Sequence, residues 1–209
     1  QIYIVDKPGA AQSQIRVGLV GVPRSTPDYI ALDVWNTVLG GSFTSRLNTN
    51  LLEKNGYSYG AMSRFDMRKA AGPFFAAAGV QTDKTADALK EFFNELNGMA
   101  APIPADELDK SKNYAALSFA GEFETTGQLA VKLEEIAVNA LPDDVFSSYV
   151  PQVQKVSAAD MARVAKTYLL MDRLAVVIVG DRDMPARQCT SAQPFSRRAR
   201  SMKSNAFRK

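Results

Sequence analysis

The chain of 209 residues contains no histidine and a single cysteine, Cys189. Without imidazole there is no Ser-His-Asp or Cys-His arrangement, no imidazole acid or base near neutral pH, and no zinc site using histidine ligands. A lone cysteine has no intrachain partner, so a disulfide framework is excluded too. No run approaches the roughly 18 consecutive apolar residues of a membrane span. No signal peptide opens the sequence, but Gln1 in place of Met reads as the start of a processed product or of a fragment of something longer, so the compartment stays open. What remains is Asp/Glu, Lys or Tyr chemistry, hydroxyl nucleophiles, hard cations held by oxygen, or no chemistry.

At 46% hydrophobic and 22% charged residues the chain has the composition of an ordinary folded domain. Its formal charge of +3 divides unevenly. Seven basic residues (Arg187, Arg197, Arg198, Arg200, Lys203, Arg208 and Lys209) and no acidic ones lie in 184–209. Setting those seven aside leaves 18 basic against 22 acidic residues in 1–183, a net of −4. A weakly acidic body argues against nucleic-acid binding by a basic surface. The stretch 184–209, rich in Ser, Arg, Gln and Pro and without periodicity, reads as a disordered basic extension that can in principle meet an acidic partner.

Hydrophobic periodicity predicts one domain over 1–183, of α+β class, with a mostly antiparallel sheet of about five to six strands and helices packed on one face. Ile2–Val5 and Gln14–Val22 read as strands joined by a Pro-Gly loop, and Tyr57–Phe65 and Phe74–Thr82 as an antiparallel pair. Thr26-Pro27-Asp28 opens a helix that stops at Gly40-Gly41, and a second helix ends at Asn55-Gly56. Further helices are predicted from about Lys84 to Met99, from Pro104 with a break near Gly121 or Thr125-Thr126-Gly127, and after Ser157-Ala158-Ala159-Asp160, a capping box with Asp for Glu. Leu129, Leu133 and Ile136 mark the helix after the break. The β-branched run Leu174–Val179 predicts a final strand, covered on both faces or central in its sheet.

Candidate sites are sparse. Leu39-Gly40-Gly41-Ser42 places glycines before a helix, but lacks the GxxxxGK[ST] lysine and follows a helix, so a turn between helices, or a surface that lets another backbone approach, fits better than a phosphate loop. Tyr57 and Tyr59, at alternate positions of a strand start, are predicted to share a face, as core residues or as hydroxyl donors to a ligand carbonyl. The carboxylates form no dyad: Glu122, Glu124, Glu134 and Glu135 read as solvated helix residues, and Asp181 and Asp183 as turn residues.

Val5-Asp6-Lys7-Pro8-Gly9-Ala10-Ala11-Gln12-Ser13, Leu39-Gly40-Gly41-Ser42-Phe43-Thr44-Ser45-Arg46-Leu47-Asn48 and Glu53-Lys54-Asn55-Gly56-Tyr57-Ser58-Tyr59-Gly60 come in an order and separation that resembles the second, non-zinc-binding domain of insulinase/pitrilysin-type zinc peptidases, the family of mitochondrial processing peptidase. The resemblance implies a clamshell of paired α+β halves in which the other half carries an HxxEH zinc helix. It implies that this chain holds no cofactor and is no peptidase alone, that zinc sits in a homologous partner half, and that the two enclose a peptide substrate. Tyr59 matches a substrate-contacting Tyr, with Gly40, Gly41 and Ser42 at the chamber mouth. The Arg that relatives place seven residues before that Tyr is Leu52 here. The alternative carried by the same resemblance is a structural or interaction subunit without a catalytic role, and bacterial relatives of this kind point to the periplasm or cell envelope.

Overall fold

Alternation of buried and exposed residues builds the sheet. The structure, a computed structural model, describes residues 1–181 and 199–202. In β2 (Gln12–Val20) Ser13, Ile15 and Val17 are buried while Gln12, Gln14 and Arg16 face solvent, and in β4 (Pro73–Gln81) Phe74, Ala76, Ala78 and Val80 are buried. With β1 (Ile2–Asp6), β3 (Ser58–Phe65), β5 (Ala175–Gly180) and β6 (Ala199–Met202) these form one sheet in the order β3-β4-β2-β5-β1-β6. Pairing is antiparallel from β3 through β5, and parallel where β1 joins β5 and β6 joins β1. The α+β class and the mostly antiparallel sheet of six strands are as the periodicity predicts, with parallel pairing confined to the β1 end. Of the stretch 184–209, only 199–202 belong to the described residues; Cys189, Asp183 and the rest of the expected extension lie outside them.

The Pro-Gly loop joins β1 to β2 in sequence without making them neighbours. β5 lies between them, central as its β-branched run predicts but covered on one face only: Val176 and Ile178 are buried whereas Val177 is exposed. The backbone N–H of Val176 donates to Gln1 (2.8 Å) and that of Lys7 to Gly180 (2.7 Å), which fastens both ends of β1. Gly180 must be glycine, since a Cβ there would lie 2.5 Å from Ser13 Oγ.

Helices cover the buried face. α1 (Tyr29–Asn36) contributes Ala31, Leu32, Val34 and Trp35, and the Trp35 ring meets Phe65 and Phe74 edge-on at 6.1 and 5.8 Å. α2 (Arg46–Asn48) is short, α3 (Thr85–Gly98) buries Leu89, Phe92 and Leu96, and α4 (Ala105–Phe119) buries Leu108 and Ala115. After the expected break, α5 (Thr126–Asn139) starts from a Thr125–Gln128 capping box; α6 (Tyr149–Lys155) and α7 (Ala158–Tyr168) follow, α7 with the predicted Ser157–Asp160 box.

One helix departs from its periodicity. Leu129 and Leu133 of α5 are exposed, and Glu135, expected in solvent, points inward. The reason is Arg24, 6% exposed, whose guanidinium stacks 3.5 Å from the Tyr29 ring and is bonded by Glu135. A buried guanidinium without its carboxylate is far more costly than an exposed leucine, so the ion pair sets the rotation of α5.

α7 is locked to the start of α1 by Asp28, which accepts from Arg163 (2.8 Å) and from the Tyr168 hydroxyl (2.6 Å). The Arg163 guanidinium holds the Asp28 carboxyl below its ordinary range; partial burial opposes this and Tyr168 assists. A carboxylate depressed in the folded state adds stability above its unfolded pKa and loses it as pH falls through the folded one. Asp28→Asn is therefore expected to lower the unfolding free energy at pH 7 by about 1 kcal/mol, small because Arg163 is half exposed. Urea unfolding of the two proteins should converge as the pH is taken below the ordinary carboxylate range.

Candidate functional site

Two helical segments wind more loosely than an α-helix where α1 and α2 end, over Thr37–Gly41 and Thr49–Lys54. π-Helical turns are rare and concentrate at functional sites. These two flank the Gly40-Gly41-Ser42 corner and the approach to Tyr59.

Gly40 is buried, and a Cβ on it would lie 2.4 Å from the backbone nitrogen of Ser63, so the corner approaches a second backbone, that of the chain's own edge strand β3. Gly41 is exposed and Ser42 is 9% exposed, its hydroxyl donating to the Thr37 carbonyl. Asn48 ties the corner to the strand: its Nδ2 donates to the Ser42 carbonyl (3.2 Å) and its Oδ1 accepts from the Ala61 N–H (2.8 Å). A second amide repeats the device, Asn36 Oδ1 accepting from Ser63 Oγ at 2.8 Å. The corner and the start of β3 are thus one rigid unit with Tyr59 two residues from the Ala61 anchor.

Tyr59 does not share a face with Ala61 and Ser63. A register irregularity between Ser58 and Ala61 buries Ser58 and turns Tyr59 outward, leaving it 89% exposed, while Tyr57 is half-buried against the core. Ser58 Oγ accepts from the Gly60 N–H (2.9 Å) and donates to the Gly60 carbonyl, which closes the irregularity. The structure brings Gly40, Gly41, Ser42 and Tyr59 to one corner, with Gly40 and Ser42 as its support and Gly41 and Tyr59 as its surface.

The neighbouring helices hold this corner by ion pairs and amides. Arg46 donates to both Glu107 oxygens (2.8 and 2.6 Å), joining α2 to α4, and that bond keeps the Arg46 guanidinium above its ordinary value. Asn50 donates to Glu91 and Glu95 of α3 and accepts from Asn55. Leu52 is half-buried one turn before Gly56, a left-handed glycine (φ 62°) that reverses the chain into β3. Beside Ser42 a groove of about 350 Å³ opens between Thr37, Thr44, Pro104, Glu107 and Tyr114.

Asn36 and Asn50 lie in no motif, and Asn48 ends the Leu39–Asn48 block without a role assigned to it. The available signal was their residue type, since asparagine is a poor helix former and three of them within helical segments need side-chain work to do. A second cavity, of about 270 Å³, lies beside Arg24, Asp33 and Tyr149. There burial raises both the Asp33 carboxyl and the Tyr149 hydroxyl that donates to it, a pair that fastens α6 to α1. Among the described residues no group of three or more His, Cys, Asp or Glu side chains is placed to hold a metal ion. The corner offers a hydrogen-bonded backbone, an aromatic ring and a hydroxyl.

The profile of the family described as Peptidase M16 inactive domain matches residues 1–114, more than half of the chain. The chain belongs to the peptidase M16 inactive-domain family. A Streptomyces coelicolor protein described as an uncharacterized zinc protease is 30% identical over 119 residues, covering 56% of this chain and 26% of that relative. The peptidase M16 inactive domain from Pseudomonas fluorescens superposes with a TM-score of 0.79 at 24% identity over 86% of this chain and 43% of that one. A chain of complex III2 from Candida albicans shares the fold with a TM-score of 0.76 at 12% identity, over 91% of this chain and 48% of its own. The M16 domain therefore spans about a quarter of the curated relative and under half of either solved chain.

Two variants separate support from surface. Asn48→Ala leaves the Ser42 carbonyl and the Ala61 N–H unpaired in a buried setting and is expected to cost about 2 kcal/mol. Tyr59→Ala is expected to change stability by less than about 0.5 kcal/mol, as for exposed positions generally. Urea denaturation curves of the two proteins check both.

Proposed function

We propose that this M16 domain is the non-catalytic half of a zinc peptidase, pairing with an HxxEH-bearing half so that the two enclose a peptide substrate. The observation that carries it is a chain of the inactive-domain family with no histidine for the metal and, at the matching position, a tyrosine held almost wholly in solvent. In this reading zinc belongs to the other half. There it polarises the scissile carbonyl and activates water.

The domain's own share is positioning. A Tyr59 ring held out from a rigid corner can stack on an extended peptide and give its hydroxyl to a peptide carbonyl, and it loses little rotamer freedom in doing so. Gly41, exposed and without a side chain, lets the substrate backbone pass close, while Asn48 keeps the corner from yielding. Proximity supplied this way lowers the barrier without any group here touching the reacting bond.

A second reading, a structural subunit without catalytic role, draws on Leu52. An aliphatic side chain stands where relatives of active pairs place Arg, and it cannot donate to a substrate carbonyl or to charge developing at the zinc site.

Mixing this chain with a purified HxxEH-bearing half should yield a complex that cleaves a quenched-fluorescence peptide, where each component alone is far slower. Tyr59→Phe and Tyr59→Ala should reduce kcat/KM by about 10-fold and 100-fold, on the scale of one lost hydrogen bond and of one lost aromatic contact. Leu52→Arg should raise it about tenfold, the worth of one charge-assisted hydrogen bond. Absence of complex formation and of any change in cleavage would overturn the peptidase reading; a stable complex whose activity ignores all three substitutions would establish the structural one.

A further inference from the structure

Helix α5 is inside out. Gln128, Lys132, Glu135 and Asn139 form the strip turned toward the fold, where Lys132 pairs with Glu122 and Glu135 with Arg24. The opposite arc carries Leu129, Ala130, Val131, Leu133, Ala137 and Val138, all exposed, with Glu134 the one charged residue among them. Val131 is 60% and Leu133 66% exposed, and Leu117, near the end of α4, adds another at 80%.

A single exposed leucine is ordinary, but a helix of 14 residues, roughly 21 Å long, with an apolar outer surface along its length is a mark of contact with another body. Rotation of α5 to hide these residues is closed off by the Arg24–Glu135 pair. The face is built to stay outward.

Its occupant must be apolar, because a nearly uncharged helix face attracts neither nucleic acid nor a strongly charged peptide. The relatives extend well beyond the part that this chain matches. Outside the region matched by this chain lie 57% of the Pseudomonas chain and 74% of the Streptomyces protein, by difference from the covered 43% and 26%. We infer that the zinc-bearing half of the peptidase seats an apolar surface of its own on the outward face of α5, and that this contact, apart from the Tyr59 corner, holds the two halves together. The inference rests on the two-part reading above and adds the surface through which pairing occurs.

The test titrates a purified HxxEH-bearing half into this chain, followed by sedimentation velocity. Leu133→Glu and Val131→Glu, whose side chains already stand in water, should keep the circular dichroism spectrum of the parent and weaken the complex at least tenfold, while Val20→Glu, 78% exposed on β2, leaves it unchanged. Hydrogen exchange on the wild-type complex should show amides of 126–139 protected on binding, a readout independent of any variant. If the wild-type chain binds and both the glutamate variants and the exchange of 126–139 are indifferent, the inference falls and the two-part reading stands. If the wild-type chain does not bind, both fall. If the chain alone sediments as a dimer that Leu133→Glu dissolves, the face belongs to a second copy and the inference is overturned.

Discussion

The fold hangs on the placement of β5 between β1 and β2. An amide ladder on each side of β5 joins β1 to β2, and Val176 and Ile178 carry the buried face across the join. Gly180 shows how tightly the closure fits: the backbone there lies where any side chain would strike Ser13. The parallel character of the β1 end follows directly, because a strand arriving after seven helices can enter beside β1 in the same direction once the intervening chain has crossed the sheet.

On this platform two classes of interaction divide the labour. Apolar packing around Trp35, Phe74 and Phe92 supplies the bulk of the free energy, as the hydrophobic effect does in globular domains generally. Directed polar contacts then choose among packings of similar burial: Asn48 selects the distance from the glycine corner to β3, Arg24 with Glu135 selects the rotation of α5, and Asp28 selects the docking of α7. The two surfaces of interest are both consequences of such selection. Tyr59 is exposed because Ser58 and Gly60 close an irregularity, and the leucines of α5 are exposed because a buried guanidinium takes precedence. The corner presents a ring to something extended; the helix presents a flat apolar strip.

Much of this was legible beforehand. The Ser157–Asp160 box, the stop at Gly40-Gly41 and the break before α5 all follow from rules acting within a few residues, and all are observed. The order of strands was not, because Ile15 pairing with Ile178 is a contact between distant segments and local patterning carries no record of neighbours. Tyr59 was assigned to the wrong face since alternation assumes an unbroken ladder. Glu135 was read as solvated, and Leu129 with Leu133 marked the helix without its rotation, because periodicity reports apolar residues without knowing that Arg24 lies beneath. Of the site, the glycines and the tyrosine were recognisable by resemblance, whereas Asn48 closes the same block with no sign of its role and Asn36 lies in no motif.

The same central strand sets a clock on synthesis. The Gln1 nitrogen donates to the Leu174 carbonyl across 173 positions, so β1 leaves the ribosome long before its partner exists. At roughly 5–20 residues per second that interval is about 9–35 s. Throughout it the facing edges of β1 and β2 are unpaired hydrogen-bonding templates, open to any other strand that arrives first. For a nascent chain of this topology, the hazard of cross-pairing at these two edges is confined to the period before β5 emerges.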